Sequence, residues 1–171
     1  KPKKISIIGA GSNTLIRDGG VKGITIKLSS HFSYLNLTSL NIIEVGAATL
    51  DKKIANFALE NSLTGLEFLS CIPGSIGGAL RTNSGCYGQD ISQILHSIKV
   101  IDINGNKKDI LASEINFYYR GSNLDQNLII TSVKLQGIPS LKEKIKKKQQ
   151  TLIEKKKKIS TKPNKNLWKH I

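Results

Sequence analysis

The sequence predicts an α+β fold in which short strands outnumber helices. Three observations carry this expectation. Short apolar runs bounded by glycine or asparagine recur along the chain, and helical spacing is confined to two stretches. Strands and helices also fail to alternate in the repeated order that a doubly wound sheet requires. A chain of 171 residues, 39% of them hydrophobic, can bury one core, or one core with an appendage.

The elements follow in order. Ile5-Ser6-Ile7-Ile8 is an apolar run stopped by glycine and reads as a buried strand. Gly19-Gly20 turns the chain into a second strand, Ile24 to Leu28, and Asn41 to Val45 is a third, ending at Gly46. From Asp51 to Asn61, the residues Ile54, Ala55, Ala58 and Leu59 recur at helical spacing, with Asp51 suited to the helix start. Between Ile72 and Gly88, five glycines and a proline are too many for a regular helix or strand interior. Ser97–Ile103 is a strand followed by the hairpin signal Asn104-Gly105, and Asn127 to Leu135 is the last strand. Leu141 to Ile159 is helical, with a thin stripe of Leu141, Ile145, Leu152 and Ile159, until Pro163 stops regularity. No internal repeat is present.

Charge divides the chain at about residue 140. Residues 140–171 hold twelve lysines against Glu143 and Glu154, a balance of +10 out of the total +14. The near-neutral body argues against specific nucleic-acid binding by the fold. The tail reads as a solvated lysine-rich helix and end, the alternative being nonspecific contact with RNA or an anionic membrane. Trp168 alone offers no base-stacking platform. No run approaches the roughly 18 apolar residues of a membrane span, and no cleavable leader pattern opens the chain, so cytoplasm is the expected compartment. Cys71 and Cys86 have neither Cys-x-x-Cys spacing nor clustered histidines and read as small buried residues, with no metal expected. His31, His96 and His170 lack partners that would make a base.

Two glycine-dense stretches carry the functional signal. Gly9, Ala10, Gly11, Ser12 and Asn13 follow a strand, where exposed amides could approach a phosphate, or could simply turn the chain. A Walker loop fails for want of Gly-Lys-Ser/Thr, and a dinucleotide fingerprint fails because Thr14 stands where a third glycine belongs. The second stretch is Ile72, Pro73, Gly74, Ser75, Ile76, Gly77, Gly78 and Ala79, followed by Asn83-Ser84-Gly85-Cys86-Tyr87-Gly88. Two such stretches suggest backbone wrapped around a large planar or phosphorylated ligand, against the alternative of two loops packed on each other.

These residues fall into a longer ordered series: Gly9 to Asn13, Arg17-Asp18-Gly19-Gly20, Gly23, Gly65-Leu66-Glu67-Phe68, Ile72-Pro73-Gly74, Gly77-Gly78-Ala79, Asn83, Gly85, Tyr87-Gly88 and Tyr119-Arg120-x-Ser122. The series closely resembles the UDP-N-acetylenolpyruvoylglucosamine reductases, flavoenzymes of peptidoglycan precursor synthesis, over about residues 5–163.

The resemblance implies an FAD-binding domain of the vanillyl-alcohol-oxidase (PCMH-like) type, incomplete at its start, over residues 1–139. A basic helix and tail, 140–171, would lead toward a substrate domain. It further implies FAD as cofactor, NADPH as hydride donor, UDP-N-acetylglucosamine enolpyruvate as substrate and UDP-N-acetylmuramate as product. Gly9, Ala10, Gly11, Ser12 and Asn13 would cradle the FAD pyrophosphate. Ile72, Pro73, Gly74, Ser75, Gly77, Gly78, Asn83 and Gly88 would line the flavin. Arg120 would be the catalytic arginine, stabilising enolate charge, with Tyr119 shaping the substrate wall. Apart from the resemblance, Arg120 reads first as a surface ion pair with Glu114 or Asp125.

The expected pattern departs at both ends. The family's leading strands precede Lys1, and its protonating serine belongs to a later domain, whereas Asn166 to Ile171 matches nothing in the family. None of Ser84, Ser122 and Ser160 occupies that serine's motif. The chain therefore reads as truncated, a partial or inactive form of a reductase that is either longer in nature or assembled with a separately encoded C-terminal piece. The alternative readings are a non-catalytic FAD-binding remnant and a basic nucleic-acid- or membrane-interacting protein.

Overall fold

In the computed structural model, residues 5–160 are described. The main element is a five-stranded antiparallel sheet. Along the chain its strands are β3 (Leu35–Ser39), β4 (Ile42–Gly46), β5 (Leu95–Ile101), β6 (Lys107–Leu111) and β7 (Ile129–Gln136), after a first pair, β1 (Ile5–Ile8) and β2 (Ile24–Lys27). The spatial order is β3-β4-β7-β5-β6, so the last strand in sequence is the central one. Val133 of β7 pairs with Val45 on one side and Ile98 on the other. Residues two apart share a face, which puts Ile43, Val45, Ile98, Val100, Val133 and Leu135 into the core. Across the opposite face Lys99 reaches Glu44 at 2.9 Å.

Three helices accompany the sheet: α1 (Asp51–Glu60) and α3 (Lys142–Ser160) pack on the Glu67–Cys71 turn and on each other, and α2 (Ile76–Arg81) packs on β7. α1 forms where the apolar spacing predicts it and buries Ile54, Ala55 and Ala58. The Glu67–Cys71 turn carries Phe68 and Leu69, both fully buried, into the same core. From α3, Ile145 and Leu152 are buried, but Leu141 and Ile159 of the expected stripe are exposed at the helix ends. The middle of that stripe is polar instead: Gln149 is buried and donates to Asn56 Oδ1 at 3.0 Å. Lys148 of α3 pairs with buried Glu67 at 3.1 Å, and Glu67 also accepts from the Gly65 amide at 2.9 Å.

Several expectations are corrected. Glycine content did not forbid a helix within 72–88: α2 runs through Gly77 and Gly78, because its first amides dock on the end of β4, Ile76 donating to Thr49 and Gly77 to Ala47, each at 3.0 Å. β3 was not foreseen; it is an edge strand whose side chains are mostly exposed, so its pattern is weak. β1 is only partly buried, with Ile7 39% exposed, because β1 and β2 form a two-stranded parallel sheet of their own. The Asn104-Gly105 hairpin is present, closed by Asp102, whose carboxylate accepts from the Asn104 and Asn106 amides. Cys71 is buried, whereas Cys86 is only half-buried. Pro163, Trp168, His170 and the rest of the tail lie outside the described residues.

Arg81 ties the end of α2 to a segment more than forty residues away. Its guanidinium donates to the carbonyls of Leu124 at 3.1 Å, Asp125 at 2.7 Å and Leu128. Arg81→Ala leaves three carbonyls, two of them part-buried, without a charged donor and is expected to cost about 2 kcal/mol. Urea denaturation measures the cost; an unchanged midpoint would contradict this role.

Candidate functional site

The two glycine-dense stretches meet face to face. The Gly9–Thr14 loop leaves the end of β1, and the Ile72–Ser75 loop enters α2. A Cβ placed on Gly9 would lie 2.7 Å from Ser75 Oγ, and one on Gly74 would lie 2.8 Å from Ser12 Oγ. Gly74 also has φ +127, a left-handed conformation that side-chain-bearing residues rarely adopt. Its carbonyl accepts from the Asp51 amide at 3.1 Å, fixing the loop over the start of α1.

Two adjoining cavities open along this contact, of about 600 Å³ and about 370 Å³. Ile7 to Ala10, Ser75, Gly78 and Arg81 line both. The larger runs between β1 and the main sheet, past Lys27, Gly77 and Ile130. The smaller is bounded by Gly11 to Thr14, Cys71 to Gly74, Ser84 to Cys86 and Arg120. Among the described residues, the amides of Gly11, Ser12 and Asn13 have no hydrogen-bond partner, while Thr14 turns back to the Gly11 carbonyl at 3.3 Å. Free amides on a glycine-bearing turn, with Lys27, Arg81 and Arg120 around the cavities, suit an anionic group such as a diphosphate. Apolar walls beside them suit a planar ring.

Of the expected site residues, Gly9, Ala10, Gly11, Ser12, Asn13, Ile72, Pro73, Gly74, Ser75, Gly77, Gly78 and Arg120 line these cavities. Three do not. Asn83, at φ +41, accepts from the Ser92 amide at 3.1 Å, and the Gly88 carbonyl accepts from Gln93. Tyr119 is 89% exposed, with the Arg120 guanidinium over its ring at 5.8 Å. Arg120 occupies a left-handed turn position, φ +63, between Phe117–Tyr118 and Gly121–Ser122. Among the described residues it makes no ion pair; Glu114 and Asp125 instead accept from the backbone amides of Leu111 and Asn127. His31 and His96 are exposed, and among the described residues their rings hydrogen-bond to the Ser29 and Ser97 hydroxyls.

Sequence reasoning missed two groups here. Arg81 faces both cavities, but an isolated basic residue after Gly78 carries no motif. Asp51 was assigned only to a helix start, yet it is 0% exposed, and among the described residues neither carboxyl oxygen has a hydrogen-bond partner. Burial pushes its pKa up from 3.8 to about 7. Its Oδ2 lies 3.9 Å from where a Gly74 Cβ would be, directly beneath the loop contact.

The FAD binding domain family matches residues 1–110. The chain belongs to that family. It is 44% identical over 163 residues to the UDP-N-acetylenolpyruvoylglucosamine reductase of Pelagibacter ubique (strain HTCC1062), covering 95% of this chain and 53% of that protein. It is 43% identical to the enzyme of the same name from Orientia tsutsugamushi (strain Ikeda), covering 85% of this chain and 50% of that protein. The chain thus spans about half the length of the curated relatives it matches. The crystal structure of UDP-N-acetylenolpyruvylglucosamine reductase from Thermus caldophilus superposes with a TM-score of 0.82 at 30% identity, over 91% of this chain and 56% of that one. A carbon monoxide dehydrogenase from Hydrogenophaga pseudoflava shares the fold alone, at a TM-score of 0.59 and 12% identity, over 78% of this chain and 52% of that one. The expected fold class, an α+β FAD-binding domain of the vanillyl-alcohol-oxidase type, is borne out. Among the described residues no helix is long and apolar enough to cross a membrane.

Gly74→Val tests the loop contact that shapes the site. A branched side chain at φ +127, against Ser12, is expected to cost roughly 1–3 kcal/mol in backbone strain alone. It should weaken FAD binding more than global stability. Flavin fluorescence titration beside thermal unfolding reads the two separately, and unaltered FAD affinity would contradict the assignment.

Proposed function

We propose that this chain is the FAD-holding part of an NADPH-dependent UDP-N-acetylenolpyruvoylglucosamine reductase, acting in peptidoglycan precursor synthesis. The substrate in this reading is UDP-N-acetylglucosamine enolpyruvate. The observation that carries it is the convergence of Gly9–Asn13, Ile72–Gly78 and Arg120 on adjoining cavities. Identity to enzymes of that name along almost the whole chain supports it.

When bound, FAD supplies two-electron hydride chemistry. The chain's own residues do the rest. The amides of Gly11, Ser12 and Asn13 bind the diphosphate without side chains in the way. Gly74, Gly77 and Gly78 leave room for a ring to lie close to backbone, and Ile7, Ile72 and Ala79 keep water from its surface. Arg120 holds a fixed positive charge at the cavity, where it stabilises negative charge developing on the enolpyruvyl group. Tyr119 lies under the guanidinium and limits its orientations. A non-catalytic flavin carrier would need the same binding residues but would give Arg120 no task. Two free thiols agree with a reducing compartment, so the cytoplasm is the location in this reading.

The test is the visible spectrum of the purified chain after incubation with FAD, followed by NADPH and then the enolpyruvyl UDP-sugar. Uptake of one FAD per chain is expected, and in an enzyme completed by the substrate domain its bleaching and recovery would mark the two half-reactions. Folded protein that stays colourless would overturn the reading.

A further inference from the structure

Both cysteines face the smaller cavity. Cys71 ends the Glu67–Cys71 turn, and Cys86 lies on the short strand Gly85–Cys86, which packs against that turn. Cys86 Sγ donates to the Phe68 carbonyl inside the same turn at 3.4 Å, and Ser70 Oγ lies 3.8 Å from Cys71 Sγ. Burial, and then the neighbouring Cys71 thiol, push the Cys86 thiol up to about 11. The strand that carries Cys86 thus packs on the turn that carries Cys71, held there by the Cys86 Sγ bond to the Phe68 carbonyl, and both side chains open on one cavity. Neither is in a disulfide.

We propose that Cys71 and Cys86 form a redox-modifiable thiol pair in the cavity wall, which closes to an intramolecular disulfide when hydrogen peroxide enters. The Cys71 sulfur attacks one peroxide oxygen, the O–O bond breaks, and Cys71 sulfenic acid and water result. The Cys86 sulfur then attacks the Cys71 sulfur, forming the S–S bond and releasing the second water. Two thiols lose two electrons and two protons, and the peroxide takes both. Cys86, whose thiol burial raises to about 11, is the slower sulfur to begin the reaction and takes the resolving role. The bridge ties the Pro73-Gly74 loop to the Gly85 strand across the cavity. It needs no flavin, so it stands apart from the reductase reading.

The experiment treats the purified chain with hydrogen peroxide, quenches it, and then counts thiols with Ellman's reagent and measures intact mass. The expected result is joint loss of both thiols, a monomer lighter by two hydrogens, and recovery with dithiothreitol. Cys86→Ser should stop at a Cys71 sulfenic acid that dimedone traps. Thiols that stay titratable, sulfinic acids without a bridge, or bridges only between chains would overturn the proposal. A bridge that forms as fast with saturating FAD as without it would uphold the pair and contradict the assignment of this cavity to FAD.

Discussion

Asp51→Asn is expected to remove a loss of stability that the protein suffers as pH rises from about 4 to about 7. The carboxyl titrates near 3.8 when unfolded and near 7 when folded, because burial disfavours its charge. Between those values the folded state keeps a proton that the unfolded state has released. The contribution is therefore whole below the unfolded pKa, declines as pH climbs through this window, and is gone above the folded pKa. About three pKa units set an upper limit of roughly 4 kcal/mol. The α1 N-terminus favours the ionised form and returns up to about 1 kcal/mol of this. Asparagine mimics the protonated acid in shape and charge, so the variant should gain over the native protein at pH 8 and match it near pH 4. Thermal unfolding of both at the two pH values decides it. Equal stability differences at both would mean that the buried carboxyl does not hold its proton.

Within an enzyme completed by the substrate domain, Arg120→Ala is expected to leave FAD bound while slowing oxidation of the reduced flavin by substrate about 10²–10³-fold, as loss of one oriented donor costs about 2.7–4 kcal/mol of barrier. Among the described residues Arg120 has no carboxylate partner, so truncation orphans no described charge, and its left-handed turn is tested separately with Arg120→Gly. Stopped-flow measurement of the two half-reactions separates the effects. Slowing of flavin reduction by NADPH alone would show that this guanidinium does not face the enolpyruvyl group. Lysine at this position restores charge without the planar fork and should recover only part of the rate.

What could be read before the fold was known follows from where the information lies. Ile54, Ala55 and Ala58 announce α1 because one helix face must be apolar over several turns, and β4, β5 and β7 were legible for the same kind of reason. Glycine at Gly9 and Gly74 was informative because each closely approaches a side chain of the other loop, and at Gly11 because its φ is positive, so the two loops could be matched before they were seen together. α2 stayed hidden because the glycines that discourage a helix in isolation are compensated by Ala47 and Thr49 of a distant strand end. Asp51, Arg81 and the facing of Cys71 with Cys86 depend on burial and on partners far along the chain. No local pattern encodes such pairings. The exposed apolar side chains Leu15, Ile16, Val21 and Ile24 around the β1–β2 pair were equally silent, since a run of apolar residues reads the same whether or not it is covered.

The placement of β7 at the middle of the sheet has a consequence for biosynthesis. β4 and β5 flank it, yet both leave the ribosome first, and neither can complete its ladder until Ile129–Gln136 emerges. At roughly 5–20 residues per second, the β3–β4 hairpin waits several seconds with one side unpaired. During that interval a nascent chain could capture a strand from its neighbour on the same messenger, so slow translation between residues 46 and 129 should favour misassembly, and rapid delivery of the final strand should protect yield.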